Sequence, residues 1–518
     1  MDRYQVIIPM SGSGKRFRDA GHEILKPLIK VNGRSMIDHV RSMYPENSDV
    51  IFICSETDLN NKDVGLVAIL NEIDDRAQIV SIKAHKKGPG WAVKEAFNSI
   101  NLKQPTFVNY CDFFNFWDFD SIDVYIKDNN PDGLIITYRD EHPHTVWCDS
   151  YAHIQNVRDR VTNIQEKKPF TENPKSEFKS TGTYFFKSGE VLVDCIAQQI
   201  REELTLKNEY YMSMTYIPML KKGLDIRHYE IEHYFQWGTP EDLNDFNWWL
   251  DNHKNKIHQE TDNGLSGFSL CLLCAGKGER FSSAGFITPK PLIGFAGESL
   301  LEASASAFEN ASWKGAVLSP DISENSVYEK LADFNLVKLD EYSKGQADSA
   351  MHLVKLAPKE APLVVASSDL KMSFNLNETL RARISKNKDW AIVFLLDPTY
   401  PFAVRKPSSY SWVGYVGDEV TDYSFKSMVS NCDAQAPLSG SFMFSSGSLA
   451  VNYIEKVLSV NDDLKEPYVD DVLPLLLEDE ITIYQIIVDS MNCLGTPEEF
   501  LTNFYYHDSL PRFLRKKC

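Results

Sequence analysis

Long apolar runs are missing from this sequence. None approaches the roughly 18 residues a membrane-spanning helix needs, so the chain reads as one that does not cross a bilayer. The N-terminal stretch MDRYQVIIPMSGSGKRF has a short apolar segment that ends in a glycine loop. A signal peptide needs a longer apolar region and a small-residue cleavage site. Cysteine is sparse, with Cys271 and Cys274 as the one close pair. The 9 cysteines, at Cys54, Cys111, Cys148, Cys195, Cys271, Cys274, Cys432, Cys493 and Cys518, are an odd, scattered set. That excludes a disulfide framework and fits a reducing, cytoplasmic setting. Basic charge is short as well: 54 Lys and Arg against 73 Asp and Glu leave a net charge of -19. Such a balance argues against a general nucleic-acid or anionic-membrane binder, which needs a basic footprint, but leaves room for a local basic pocket.

What is present is ordinary globular material. Hydrophobic residues make up 43% and charged residues 25%, enough apolar content to exclude a mainly disordered chain. The 518 residues alone suggest about three domains of ~150 residues each. Internal repetition replaces that expectation. Residues 6–28 read VIIPMSGSGKRFRDAGHEILKPL and residues 270–292 read LCLLCAGKGERFSSAGFITPKPL. Gly12, Gly14, Arg16, Phe17, Gly21, Lys26 and Pro27 return 264 positions later as Gly276, Gly278, Arg280, Phe281, Gly285, Lys290 and Pro291. Further along the offset becomes 257: Lys87-Gly88 matches Lys344-Gly345, Asp112 matches Asp369, Glu209 and Tyr211 match Glu466 and Tyr468, and Gly238-Thr239-Pro240-Glu241 matches Gly495-Thr496-Pro497-Glu498. A period this long is a tandem domain duplication, not a solenoid. The expected organisation is domain 1 over 1–250, a polar linker over 251–267, and domain 2 over 268–518.

Within one copy the pattern alternates. VIIPM (6–10), VIFICS (50–55), TFVNYCD (106–112) and DGLIITYR (132–139) read as strands, and SMIDHVRSMY and VGLVAILNEI as helices. LCLLCA, GAVLS, LVVASSD and WAIVFLLD repeat the strands in the second copy. Continuous apolar strands separated by helices predict an α/β fold with a mostly parallel sheet. Ligands of such sheets sit beyond the C-terminal strand ends, where the glycine loop and the Asp112 loop fall.

The loop SGSGKRF is neither a GxxxxGK[ST] P-loop nor a dinucleotide fingerprint, because Arg16 and Phe17 stand where the third glycine would be. A tight strand-to-helix turn favours glycine in any case. Arg16, and Lys26 in its Lys-Pro-Leu setting, give the loop a chemical reading: two cations beside a phosphate-sized loop can neutralise charge on a transferring phosphoryl group. The pair recurs as Arg280 and Lys290. Asp112 and Asp369 close apolar strands, where a carboxylate can cap a loop or hold Mg²⁺.

This GxGxRF…KPL pattern, with the Lys-Gly turn, the strand-end Asp112, Glu166-Lys167, Gly182-Thr183-Tyr184 and GTPEDL at 238–243, resembles the nucleotidyltransferases that make nucleoside-diphosphate sugars and related activated metabolites. The resemblance spans both copies and implies two tandem Rossmann-like, GT-A-like domains. It implies NMP transfer from an NTP to a phosphorylated acceptor with release of pyrophosphate, and supply of surface-polysaccharide precursors as the setting. It assigns Arg16, Lys26, Arg280 and Lys290 to catalysis. Met10, Ser11, Gly12, Ser13, Gly14, Lys15 and Gly88 would bind nucleotide, as would Ala275, Gly276, Lys277, Gly278, Glu279 and Gly345. Glu166, Lys167, Gly182, Thr183, Lys426 and Gly440 would meet the acceptor, and Asp112 and Asp369 would hold Mg²⁺. The family's second carboxylate, two residues before the GT, is replaced by Gln236 and Cys493, so the metal site has one protein carboxylate or takes its second from elsewhere. Phe425 stands where Glu166 does, so the second copy is expected to read a different acceptor.

Two readings of the pair of domains follow. Either both copies are catalytic, or the N-terminal copy is catalytic and the C-terminal copy regulatory or substrate-binding. A glycosyltransferase is disfavoured, since CDFF and SDLK lack the DxD such enzymes usually carry. No motif separates CTP from UTP, GTP or dTTP, and a homo-oligomer stays open. Three further features read as packing: Cys271 and Cys274 in a buried-strand pattern without a second CxxC, His142-Pro143-His144 in a loop, and the Trp248-Trp249 pair.

Overall fold

The apolar segment Gln5–Pro9 forms a strand with every residue buried. Its parallel neighbours are Asp49–Ser55 on one side and Thr106–Asn109 on the other. This is the pattern for which continuous apolar runs are suited, since both faces of such a strand are covered. The computed structural model describes residues 3–140, 142–148, 150–257, 265–430, 432, 434–460 and 466–515. These divide into two compact units, Met1–Asn247 and Trp248–Cys518.

In the first unit a 9-stranded sheet runs in the order Gln78–Ile82, Asp49–Ser55, Gln5–Pro9, Thr106–Asn109, Phe178–Phe186, Gly133–Tyr138, Ile226–Glu230, Arg160–Glu166, Ala152–Val157. The first four strands are parallel. Phe178–Phe186 then runs antiparallel between Thr106–Asn109 and Gly133–Tyr138. Arg160–Glu166 and Ala152–Val157 form an antiparallel hairpin. The sheet is therefore mixed, parallel on its glycine-loop side and largely antiparallel beyond. Ala92, Val93, Leu192, Ile196 and Met219 from the helices pack with Ile7, Ile53, Val108 and Ile135 on one face. On the other, Phe119 of helix Phe119–Asn129 meets Tyr4 and Phe107 edge-on or tilted at 5.5 and 5.7 Å.

The second unit has the same strand order: Asn335–Lys338, Trp313–Leu318, Ser269–Cys274, Leu363–Ser367, Gln435–Phe444, Trp390–Leu395, Thr482–Ile487, Glu419–Ser424, Trp412–Val416. Identical order in both units is the structural form of the sequence repeat.

A small second sheet in each unit bears on the site. His233–Gln236 pairs with Phe113–Phe116, setting Gln236 opposite Phe113. Ser490–Cys493 pairs with Leu370–Ser373, setting Cys493 opposite Leu370. The turn that follows is thereby laid against the strand-end aspartate: Trp237 N–H donates to the Asp112 carbonyl at 3.0 Å and Leu494 N–H to that of Asp369 at 2.7 Å.

The helix Pro240–Ile257 occupies the first part of the expected linker, and residues 258–264 of that linker lie outside the described residues. Trp248 Nε1 donates to Asp397 at 3.2 Å and Trp249 stacks on Tyr506 at 5.2 Å, so the tryptophan pair packs as expected. Cys271 and Cys274 are buried in the strand, and burial pushes both thiols up, Cys274 to about 12. Thiols so far from ionisation are poor metal ligands and nucleophiles. His142 and His144 are buried among Tyr138, Tyr151 and Tyr234, with His144 Nε2 at 2.9 Å from the Tyr138 hydroxyl.

Candidate active site

In both units the glycine loop leaves the first strand at its C-terminal end. Met10 and Ser11 are buried there, while Gly12, Ser13, Lys15 and Arg16 are exposed. Gly14 takes a left-handed conformation, φ 58°, and caps the short helix Lys15–Asp19; Gly278 does the same at φ 65° before Glu279–Ser283. Only glycine adopts this region without cost, which explains its return at both positions. Phe17 and Phe281 are buried beneath the loops.

The Lys-Pro-Leu segments form short 3₁₀ turns, Lys26–Leu28 and Lys290–Leu292, with proline where no N–H is needed. Each turn aims its lysine at the strand-end aspartate. Lys26 Nζ donates to Asp112 Oδ2 at 2.6 Å and to the Gly238 carbonyl at 2.8 Å. Lys290 Nζ donates to Asp369 Oδ2 at 2.7 Å and to the Gly495 carbonyl at 3.2 Å. Three motifs far apart in the chain thus converge on one ammonium in each unit. Burial would push the Asp369 carboxyl up, but Lys290, with help from Arg280, outweighs it and holds the group below the usual carboxylate range.

The Lys-Gly turns are held by close approach. A Cβ on Gly88 would lie 3.0 Å from Tyr210 N and O, and Gly88 has φ 82°. Gly345 is extended, yet a Cβ there would come within 2.6 Å of Pro467 Cδ. Both glycines are therefore required by packing against the 209–210 and 466–467 segments. In the second unit Gly345, the loop from Ala275 to Arg280, Lys290, Asp369, Tyr468 and Gly495 line one cavity of about 930 Å³. Lys426 and Gly440 are not in its lining but adjoin it, Lys426 Nζ lying 5.2 Å from the Tyr468 ring.

At the positions expected to meet the acceptor, the Glu166 side chain is 8% exposed and accepts from Ser213 Oγ at 2.6 Å, and this withdrawal from water raises its carboxyl. Lys167 Nζ donates to the Tyr211 hydroxyl at 2.8 Å. Ser213 is a neighbour the sequence does not single out, because a serine in a short 3₁₀ segment carries no pattern. The Thr183 hydroxyl is fully buried, donating to Asn109 Oδ1 at 2.5 Å and accepting from Asn115 Nδ2 at 2.9 Å, so any contact of Thr183 with an acceptor would have to come from its backbone. Gly182 is pressed against Tyr110 and Phe113.

Residues 270–412 match the family model described as the MobA-like NTP transferase domain. The matched segment lies within the C-terminal unit. The N-terminal unit repeats its strand order and its lysine–aspartate pair. Among curated proteins, nothing matches the chain. Among solved structures, the chain is similar to a nucleoside-diphosphate-sugar pyrophosphorylase from Vibrio cholerae, at 20% identity and TM-score 0.40, over 47% of this chain and 99% of that one. It is also similar to a UTP-bound UGPase from Acinetobacter baumannii, at 17% identity and TM-score 0.37, over 50% and 95%. A third is the inositol-1-phosphate CTP transferase from T. maritima, at 13% identity and TM-score 0.37, over 47% and 92%. No described helix is long and apolar enough to cross a membrane.

Proposed function

We propose that the chain is a bifunctional nucleotidyltransferase. Each unit would transfer a nucleoside monophosphate from an NTP to a phosphorylated small molecule, a sugar 1-phosphate or a related phosphate ester, and release pyrophosphate. The observation that carries this reading is the lysine bridging a strand-end aspartate and a glycine carbonyl, built twice beside an exposed glycine–arginine loop. Retention of Lys290 with Asp369 argues against a C-terminal copy that only regulates, even though Phe425 replaces the acceptor-side acid.

In the reaction, an oxygen of the acceptor phosphate attacks the α-phosphorus in line as the bond to the pyrophosphate oxygen breaks. A phosphate nucleophile is already ionised, so no general base is required. Loop N–H groups would hold the triphosphate, and Arg16 and Arg280 would reach it from the exposed side. Lys26 and Lys290, fixed at their partners, would supply positive charge where it develops. Lys167 and Lys426 would take the acceptor phosphate.

Asp112 and Asp369 fit Mg²⁺. Gly238 and Gly495 lack the side chain that would crowd them, since a Cβ there would lie 3.4 Å from Asp112 Oδ2 and 3.3 Å from Asp369 Oδ2. Mg²⁺ takes one or two protein carboxylates alongside phosphate oxygens, and when bound it would neutralise charge on the leaving pyrophosphate. Among the described residues no group of three metal-ligating side chains lies at either loop, but in the C-terminal unit a second carboxylate is close, since a Cβ on Gly495 would also lie 3.5 Å from Glu499 Oε2. Precursor supply for surface polysaccharide suits this activity.

The test is pyrophosphate release with each of four NTPs and a panel of phosphorylated acceptors, in Mg²⁺, for the intact chain, Asp112→Asn and Asp369→Asn. Loss of a different activity in each variant supports two catalytic units. An Asp369→Asn chain with every activity intact would leave a catalytic N-terminal unit with a partner copy. No release with any pair overturns the proposal.

A further inference from the structure

The two units share a plan, yet they differ sharply around the acceptor lysine. The equivalence of the positions is structural. Lys167 and Lys426 both adopt positive φ, 55° and 48°, directly after strands Arg160–Glu166 and Glu419–Ser424 or one residue on. Gly182 and Gly440 are both left-handed, φ 99° and 80°. Ser213 and Asp470 lie in matching 3₁₀ turns, Met212–Thr215 and Val469–Asp471.

In the N-terminal unit this space is filled. A Cβ on Gly182 would lie 2.8 Å from Phe113 Cε1 and 3.0 Å from Tyr110 Cδ2. In the C-terminal unit Ser367 replaces Tyr110, two residues before the strand-end aspartate. A Cβ on Gly440 would have only Ser367 within 4 Å among the described residues, its Oγ at 3.5 Å. Ser367 also lines the 930 Å³ cavity, so the widened space adjoins the candidate active site.

The carboxylate has changed elements. Glu166, on the strand in the N-terminal unit, accepts from Ser213 on the 3₁₀ turn. In the C-terminal unit the strand side carries Phe425, exposed and 5.6 Å from the Tyr468 ring, and the turn carries Asp470 in place of the serine. Asp470 is 8% exposed, and its Oδ2 accepts from the Tyr423 hydroxyl at 3.0 Å. Ser411 is its other hydroxyl partner and Asp471 the adjacent charge; among the described residues no lysine or arginine pairs with it. A buried carboxylate held by two neutral hydroxyls and its own backbone N–H keeps acceptor capacity for a further donor.

Resting on the function proposed above, we infer that Asp470 is the acceptor-selecting carboxylate of the C-terminal unit. That unit takes a phosphate ester bulkier than the N-terminal unit's, with an apolar face against Phe425 and a hydroxyl or ammonium donor for Asp470.

The test uses the full chain with Asp112→Asn as background, so that only the C-terminal unit turns over, and with Asp369→Asn as the reciprocal background. Acceptors are hexose 1-phosphates, polyol phosphates, and phosphate esters of alkyl and amino alcohols. Asp470→Asn is expected to raise the acceptor KM about tenfold, the loss of one charge-assisted hydrogen bond, with the NTP KM within about twofold. Phe425→Glu with Asp470→Ser installs the N-terminal pair and is expected to move preference toward the N-terminal unit's acceptor. If Asp470→Asn melts at a lower temperature, Asp470→Ser replaces it, with NTP calorimetry as the check on the nucleotide site. An unchanged acceptor KM, or one shared acceptor preference in both backgrounds, overturns the inference. Absence of pyrophosphate release from either background with every acceptor instead removes the functional reading on which it stands.

Discussion

Lys290 Nζ lies 2.7 Å from Asp369 Oδ2, and the same ammonium reaches the Gly495 carbonyl at 3.2 Å. Both side chains are largely withdrawn from water, at 17% and 29% exposure. Removing one partner from such a pair leaves a charge without compensation. Lys290→Met is expected to destabilise the C-terminal unit by about 1–3 kcal/mol, and Lys290→Met with Asp369→Asn to recover part of that. Denaturant unfolding measures both; a double variant no more stable than the single would contradict the pairing. Because the Asp369 carboxyl is lowered in the fold, its contribution is present above the unfolded value, about pH 4, and is lost as pH falls through the lowered folded value.

The loop arginines are exposed and sit beside the glycines, not within the core. Arg16→Ala and Arg280→Ala should therefore leave the melting temperature nearly unchanged. Each should weaken NTP binding at one site by about tenfold, as expected for loss of a charged phosphate contact. Calorimetry with Mg²⁺ and each NTP reads this directly. If Arg280→Ala alters no binding isotherm, the C-terminal unit is not an NTP site.

Two glycines of the N-terminal unit should respond in opposite ways. A Cβ added at Gly12 would meet nothing within 4 Å, so Gly12→Ala should cost less than about 0.5 kcal/mol of stability while reducing NTP affinity. Gly88 combines φ 82° with backbone 3.0 Å away, so Gly88→Ala should destabilise by about 1–3 kcal/mol. Parallel unfolding and binding curves separate the two. Equal destabilisation by both would mean that Gly12 is also a packing glycine.

Burial pushes the His142 imidazole down to about 3 and lowers His144 as well. Unfolded histidines titrate near 6.5, so between roughly pH 6.5 and 3 the unfolded chain binds protons that the folded one refuses. Stability of the N-terminal unit should fall across that window as pH drops. His142→Asn should flatten the slope by up to about 1.4 kcal/mol per pH unit, whatever its effect on absolute stability. Unfolding free energy at a series of pH values checks it; an unchanged slope would show that His142 is not buried as neutral imidazole.

The repeat, the loop and the strand-end aspartates are legible in the sequence because each is a local pattern: an apolar run stops at glycines, or at a single acid. The convergence of Lys26 on both Asp112 and Gly238 is only implied there, since it depends on Gln236 pairing opposite Phe113 across the small sheet. The antiparallel side of the sheet is less visible. Ala152–Val157 and Arg160–Glu166 mix buried and exposed positions with bulged pairing, so they lack the clean apolar signal of Gln5–Pro9. The burial of the Thr183 hydroxyl is not legible in the sequence, because its partners Asn109 and Asn115 come from strands far along the chain. Asp470 is hidden because the loss at Phe425 and the Ser213-to-Asp470 change fall in separate segments, and only the fold sets the strand end and the 3₁₀ turn side by side.

Every group in each lysine–aspartate–glycine arrangement comes from its own half of the chain: Lys26, Asp112 and Gly238 in one, Lys290, Asp369 and Gly495 in the other. One translation event therefore delivers both arrangements in equal number. A cell making this polypeptide cannot raise one arrangement without the other, so gene dosage leaves their ratio fixed at one to one.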